Sequence, residues 1–178
     1  MSKIKSIDEL SRILARLRKD GKKIVHCHGV FDLLHPGHVK HFEVARKKGD
    51  ILIVTVTRDE YVNKGPGRPI FNQQLRAETI AAMECVDYVA INEWPTAVEA
   101  IKKLKPHFYV KGSDYAQKEE DVTGKIYEEE EAVKSVGGTL HFTDEITFSS
   151  SSLINNFLFP YPEEAKDFLL KFKKRYSP

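Results

Sequence analysis

Five of the seven histidines in this sequence, His26, His28, His35, His38 and His41, fall within sixteen residues, and that concentration calls for a chemical cause. One candidate is metal binding. His35, His38 and His41 are three apart, as zinc ligands on one helical face can be, but no Cys, Asp or Glu of the segment has a spacing that completes the set. The other candidate is phosphate. His35 and His38 flank Pro36-Gly37, a pair that suits the first turn of a helix. A helix N-terminus offers unpaired N–H groups and the positive end of its dipole to an anion. Gly37, lacking a side chain, lets a phosphate approach the backbone, and two imidazoles add N–H donors. This points to phosphate binding, extending to phosphoryl or nucleotidyl transfer. His26 and His28 read as strand residues with satisfied hydrogen bonds, and His41 as a solvated helix residue.

For those donors to converge, a strand must deliver the loop and a helix must leave it. Ser6-Ile7-Asp8-Glu9 followed by Leu10, Ile13, Leu14 and Leu17 reads as a capping box and an amphipathic helix stopped at Gly21. Ile24 to Gly29 reads as a strand, Pro36 onward as a helix, and Ile51 to Thr57 as a strand buried on both faces. The alternation continues with helix from Asn72 to Met83, strand from Val86 to Ile91, helix from Thr96 to Leu104 and strand from His107 to Lys111. An acidic helix from Thr123 to Val136 and a strand from Thr139 to Thr143 complete it. The expected fold is α/β, a Rossmann-like open parallel sheet with helices on both faces. Ligands on such sheets sit at the carboxyl ends of strands near the switch in strand order. That singles out the loops Gly29 to His38, Arg58 to Pro69, Lys111 to Tyr115 and Thr147 to Ser152.

The chain has 178 residues, 41% hydrophobic and 30% charged, as in a soluble globular protein with one sizeable core. Residues 1–159 are expected to form the main domain and 160–178 an amphipathic helix that is a docked extension, an interface or a link to a further domain. A net charge of +2 with the signs interspersed gives no basic face for nucleic acid. The apolar runs are far shorter than the ~20 residues that span a bilayer, and the N-terminus lacks a secretory apolar segment, so no membrane partner and a cytoplasmic location are expected. Cys27 and Cys85 read as reduced, buried thiols in strand or helix contexts. The acidic run Glu119 to Glu131 reads as a solvated helix face.

The stretch Gly29-Val30-Phe31-Asp32-Leu33-Leu34-His35-Pro36-Gly37-His38 resembles the signature loop of the cytidylyltransferase-like nucleotidyltransferases, with the His-x-Gly-His core intact. The likeness continues through Lys64-Gly65, Arg68-Pro69-Ile70, Arg76, Val86-Asp87, Lys111-Gly112-Ser113-Asp114-Tyr115, Gly137-Gly138 and Ser149-Ser150-Ser151. Within the superfamily the sequence is most similar to the heptose 1-phosphate adenylyltransferase branch, with glycerol 3-phosphate cytidylyltransferases next.

The resemblance implies transfer of a nucleotidyl group from an NTP to a phosphorylated sugar or polyol, with pyrophosphate released. ATP is favoured over CTP, because the Arg that cytidylyltransferases place before their Ser-Thr motif is missing from Asp144 to Phe148. By the same likeness His35 and His38 would bind the triphosphate and stabilise the transition state, while Lys64 would neutralise phosphates or bridge donor and acceptor. Its alternative is a solvated loop lysine. Gly29, Val30, Phe31 and Gly37 would shape the nucleotide pocket. Arg76 would be a phosphate contact or else a surface ion pair, and Asp32 would hold the acceptor or the loop. Asp59 would face the acceptor or sit as an exposed turn carboxylate. Lys111, Gly112 and Asp114 would lie by the nucleoside, and Ser149, Ser150 and Ser151 would bind the triphosphate or cap a helix. Mg²⁺ would arrive with the triphosphate, with no protein ligands for it. A homodimer, and fusion to a sugar kinase in a longer protein, are further expectations. The alternatives are a glycerol 3-phosphate-like cytidylyltransferase, a cofactor-precursor adenylyltransferase and a non-catalytic nucleotide-binding module.

Overall fold

The computed structural model describes residues 2–64, 67–112 and 125–143. Helix α1 spans Ile7–Lys19, and the Ser6 side chain accepts from the Glu9 amide, as the capping pattern predicts. Acidic residues in its first turn and Arg16, Arg18 and Lys19 in its last complement the helix dipole. Gly21, at φ 76°, then turns the chain in a conformation that favours glycine.

Strand β1 (Ile24–Gly29), α2 (Pro36–Arg46), β2 (Ile51–Thr57), a 3-10 turn (Asp59–Tyr61), α3 (Gln73–Ala81), β3 (Tyr88–Asn92), α4 (Val98–Leu104), β4 (Phe108–Gly112), α5 (Lys125–Ser135) and β5 (Thr139–Thr143) follow. The five strands form one sheet in the order β3-β2-β1-β4-β5, every pair parallel. The order reverses between β1 and β4, so the crevice for a ligand is expected above their carboxyl ends. Those ends carry Gly29 and Gly112, which belong to two of the loops singled out from the sequence.

β-Branched and apolar residues alternate between two buried faces. On one, Val25, Cys27, Leu52, Val54, Val56, Val89 and Val110 pack against Phe42 and Ala45 of α2 and Ala77 and Ile80 of α3. On the other, Ile24, Ile53 and Ala90 meet α1 and α4 through Ile7, Leu10, Leu14, Ala100 and Leu104. Tyr109 there meets Ala132 and Val133 of α5. Burying one large apolar side chain contributes roughly 1.5–3 kcal/mol, and Phe42→Ala, at a residue with no exposed surface, removes about 3–5 kcal/mol.

Three expectations change. Helix α4 starts at Val98 rather than Thr96, because Thr96 lends its carbonyl to the Asn92 side chain. Cys85 lies half-buried in the turn before β3, in neither strand nor helix. Cys27 is fully buried, and burial pushes its thiol well above the ordinary range. Glu129 of α5 is not solvated: it is buried, accepts from the Tyr109 hydroxyl at 3.0 Å and pairs with Lys111 Nζ at 3.0 Å.

Residues 119–124 of the acidic run, and the division at 159/160, lie outside the described residues. No helix among the described residues is long and apolar enough to cross a membrane.

Candidate active site

The loop leaving β1 is shaped by an unusual backbone. Phe31 adopts φ 50°, a conformation that side-chain-bearing residues rarely take, and its ring folds back over Gly29. A Cβ at Gly29 would lie 2.9 Å from Phe31 Cζ, so glycine is what admits the ring. The ring packs edge-on against Phe42 at 5.1 Å and against His38 at 5.4 Å. Gly29 and Phe31 thus build the wall on which one of the two key imidazoles rests.

His35 is the N-cap of α2, extended at φ −141°, with no side-chain capping bond. Its carbonyl accepts from the His38 and Val39 amides. Pro36 has no N–H, which leaves the Gly37 amide as the first-turn donor with no intrahelical acceptor. The His35 and His38 rings stack at 3.9 Å with their planes 26° apart. Burial lowers the pKa of His35, and it lowers that of His38 to about 3, helped by the charges of His35, His41 and Lys64. Two stacked rings can both be accommodated when neutral, and a neutral imidazole still donates one N–H. His38 Nδ1 is buried and has no hydrogen-bond partner among the described residues. An arriving polyanion gives such nitrogens their acceptors.

His41 is not the solvated residue expected. Its Nδ1 lies 3.0 Å from Thr143 Oγ1, and burial, with Lys111 nearby, lowers its pKa to about 4. His26 Nε2 lies 2.7 Å from Thr55 Oγ1 and His28 Nδ1 lies 2.8 Å from the same oxygen, while His28 Nε2 is 3.3 Å from Thr57 Oγ1. These two are strand residues tied across to β2, although His26 Nδ1 is buried with no acceptor or donor among the described residues. Among the described residues no three of His, Cys, Asp or Glu converge where an ion could sit.

Asp32 holds the loop rather than facing an acceptor. Its Oδ1 accepts from the Ile70 and Phe71 amides at 2.7 and 3.2 Å, and its Oδ2 from Arg68 Nε at 2.6 Å. Arg76 departs from both of its readings. It is not a surface pair, and its guanidinium is engaged by protein oxygens. The side chain has no exposed surface and donates to the carbonyls of Phe71, Val30 and Thr57 and to Asp59 Oδ1. It braces the loops after β1 and β2 together, and Val30 serves through its backbone.

Asp59 is thereby half committed, with 38% of its side chain exposed. Lys64 is exposed on its loop and close enough to contribute to keeping His38 neutral. Lys111 turns its ammonium inward to Glu129, and Gly112 pairs with Thr143 at the end of β4. Asp114, Ser149, Ser150 and Ser151 lie outside the described residues.

An open groove of about 360 Å³ lined by Leu34, His35, Pro36, Val39 and Lys40 runs beside the stack. Arg68 and Glu129 escaped the sequence reading as site residues. Arg68 stands in the stretch Gly67-Arg68-Pro69-Ile70, which was the signal for it.

Comparison with known proteins agrees with this fold. Bifunctional protein HldE of Aliarcobacter butzleri is 49% identical over 140 residues, 77% of this chain and 29% of that one. Bifunctional protein HldE of Trichlorobacter lovleyi is 40% identical over 166 residues, 92% of this chain and 32% of that one. The chain therefore spans about a third of the length of these relatives. The lipopolysaccharide core biosynthesis protein from Thermoplasma volcanium superposes with TM-score 0.57 at 25% identity, over 72% of this chain and 100% of that one. Pantoate-beta-alanine ligase from Francisella tularensis, complexed with an ATP derivative and beta-alanine, shares the fold at TM-score 0.57 and 16% identity, over 96% of this chain and 86% of that one. The cytidylyltransferase-like family matches residues 26–156, which take in the histidine loop and all five strands but the first two residues of β1. With that match laid over the stacked imidazoles at the head of α2, the chain belongs to the cytidylyltransferase-like family.

Proposed function

We propose that the chain is a nucleotidyltransferase that joins ATP to a sugar 1-phosphate, of the heptose class that its sequence resembles, and releases pyrophosphate. The observation that carries this is the stacked His35–His38 pair at the start of α2, whose pKa values burial lowers, with Lys64 near enough to act on His38. An acceptor phosphate oxygen attacks the α-phosphorus, the new P–O bond forms, and the bond to the bridging oxygen of the leaving pyrophosphate breaks. The attacking group is a phosphate monoester, whose second pKa is about 6. It is a dianion near neutral pH and needs no general base. What the protein supplies is position and donors aimed at the charge of the transition state. His35 and His38 donate to phosphate oxygens, Lys64 offsets charge, and the Gly37 amide completes the cradle.

Magnesium would arrive with the triphosphate as part of the nucleotide substrate and offset charge on its oxygens. Cytoplasmic action as a homodimer, beside a kinase that makes the sugar 1-phosphate, belongs to the same proposal. A second activity in a longer protein is supported by relatives that are bifunctional by name and about three times as long.

The test is pyrophosphate release with ATP and CTP, each against heptose 1-phosphates, glycerol 3-phosphate and phosphopantetheine. Turnover is expected with ATP and the sugar 1-phosphate. Release with none of the pairs overturns the proposal, and preference for phosphopantetheine moves it to a cofactor-precursor enzyme.

A further inference from the structure

The cations around the histidine loop are not equally engaged. Arg76 is consumed by four protein oxygens, and Lys111 faces Glu129. Arg68 differs. Its side chain is 7% exposed and that of its partner Asp32 1%, yet they meet through a single bond, Nε to Oδ2 at 2.6 Å. An arginine and a carboxylate usually pair through two parallel bonds. Here Asp32 spends its second oxygen on the Ile70 and Phe71 amides. Arg68 Nη2 is left buried with no hydrogen-bond partner among the described residues. A buried N–H without an acceptor is costly and demands an explanation, and Arg76 shows that this loop system can saturate a guanidinium. Asp32 stands three residues before His35, so the vacant donor, carried by the loop after β2, is tied to the loop that carries the imidazole stack.

We infer that Arg68 is a phosphate-binding residue of the reaction, with Asp32 as the positioning residue that aims Nη2 at a phosphate oxygen. The inference rests on the reading of this loop as the seat of phosphate chemistry, and it adds a residue which that reading did not use. Asp32 offsets the charge of Arg68, so its contribution is directional, a fixed donor rather than an added unit of positive potential. The oxygen comes either from the nucleotide's triphosphate or from the acceptor's monophosphate.

Calorimetry on the parent and Arg68→Lys distinguishes these sources, with inorganic tripolyphosphate as one probe and glucose 1-phosphate as the other. Lysine keeps the ion pair with Asp32 but has no second nitrogen to donate. Affinity for one probe is expected to fall by about tenfold or more while the unfolding temperature holds, and the probe that weakens names the source. Equal affinities in parent and variant overturn the inference, as does a parent that binds neither probe.

Should the variant not fold, guanidinium NMR of the unmutated protein decides. A buried Nη resonance that slows its exchange on adding one of the probes supports the inference, and no response to either overturns it. A parent that turns over normally, with an unchanged variant, sinks Arg68 alone. A parent that binds phosphate through Arg68 but releases no pyrophosphate sinks the enzymatic reading alone.

Discussion

His38 and Arg76 are both buried nitrogen donors, but they do different work, and substitution separates them. His38 rests on Phe31 and on His35, with Nδ1 unsatisfied among the described residues, so its removal takes away a donor to the reaction rather than a support of the fold. His38→Ala is expected to lower kcat by about 10²–10³, with the circular-dichroism melt displaced little. A melt that collapses together with activity would show the ring to be structural. Arg76→Ala leaves three backbone carbonyls and the Asp59 carboxylate without their donor. Leaving buried carbonyls without a donor costs about 1–3 kcal/mol each, measurable as a lower urea midpoint. An Arg76→Ala protein with unchanged stability and a raised KM for nucleotide would restore the phosphate-contact reading.

Among the elements, strands were more legible than the contacts between them. β1, β2 and β5 lie where the sequence places them: β2 is a nearly continuous β-branched run that suits a strand buried on both faces, and Gly21, Gly49 and Gly137-Gly138 stop the chain shortly before the three strands. The start of α2 was legible for the same reason, since Pro36-Gly37 leaves little choice of helix terminus. What the sequence could not show is which polar residues turn inward. Arg68 meets Asp32 from 36 residues away, and Arg76 reaches 46 residues back to Val30. A run of four glutamates, Glu128 to Glu131, reads as a wet face although the second of them is buried. α5 lays Glu129 against β4, where Lys111 and Tyr109 point to the same side of the strand. Helix α5 is thus fastened to the sheet by a buried ion pair as well as by Ala132 and Val133. Glu129→Ala removes this buried ion pair and the acceptor of the Tyr109 hydroxyl, and is expected to cost about 3–5 kcal/mol. Chemical denaturation checks it: a loss below 1 kcal/mol would show that Lys111 escapes to solvent.

For the whole molecule, the sheet order places the histidine loop after β1 beside the carboxyl end of β4, and this layout buries titratable rings in the fold. Burial lowers the pKa of His26 and His38 to about 3 and of His41 to about 4, against an unfolded value near 6.5. Below that unfolded value the unfolded chain binds protons that the folded chain refuses, so acid favours unfolding. The stability contributed by these neutral rings is complete above about pH 6.5 and is lost as pH falls towards their folded values. Each refused proton costs about 1.4 kcal/mol per pH unit. His26 has no exposed surface and lies on β1 away from the stacked pair, so it isolates the effect from ligand binding. His26→Gln keeps an amide that can reach the Thr55 hydroxyl but removes the titrating group. Urea titrations at intervals from pH 7 to pH 4.5 should show the parent losing stability more steeply than the variant, by about one proton's worth of slope. Carboxylates titrating in the same range affect both proteins alike and cancel in the difference. Parallel stability curves would mean that His26 is protonated in the fold, with water or a rearranged Thr55 supplying what burial was argued to deny it.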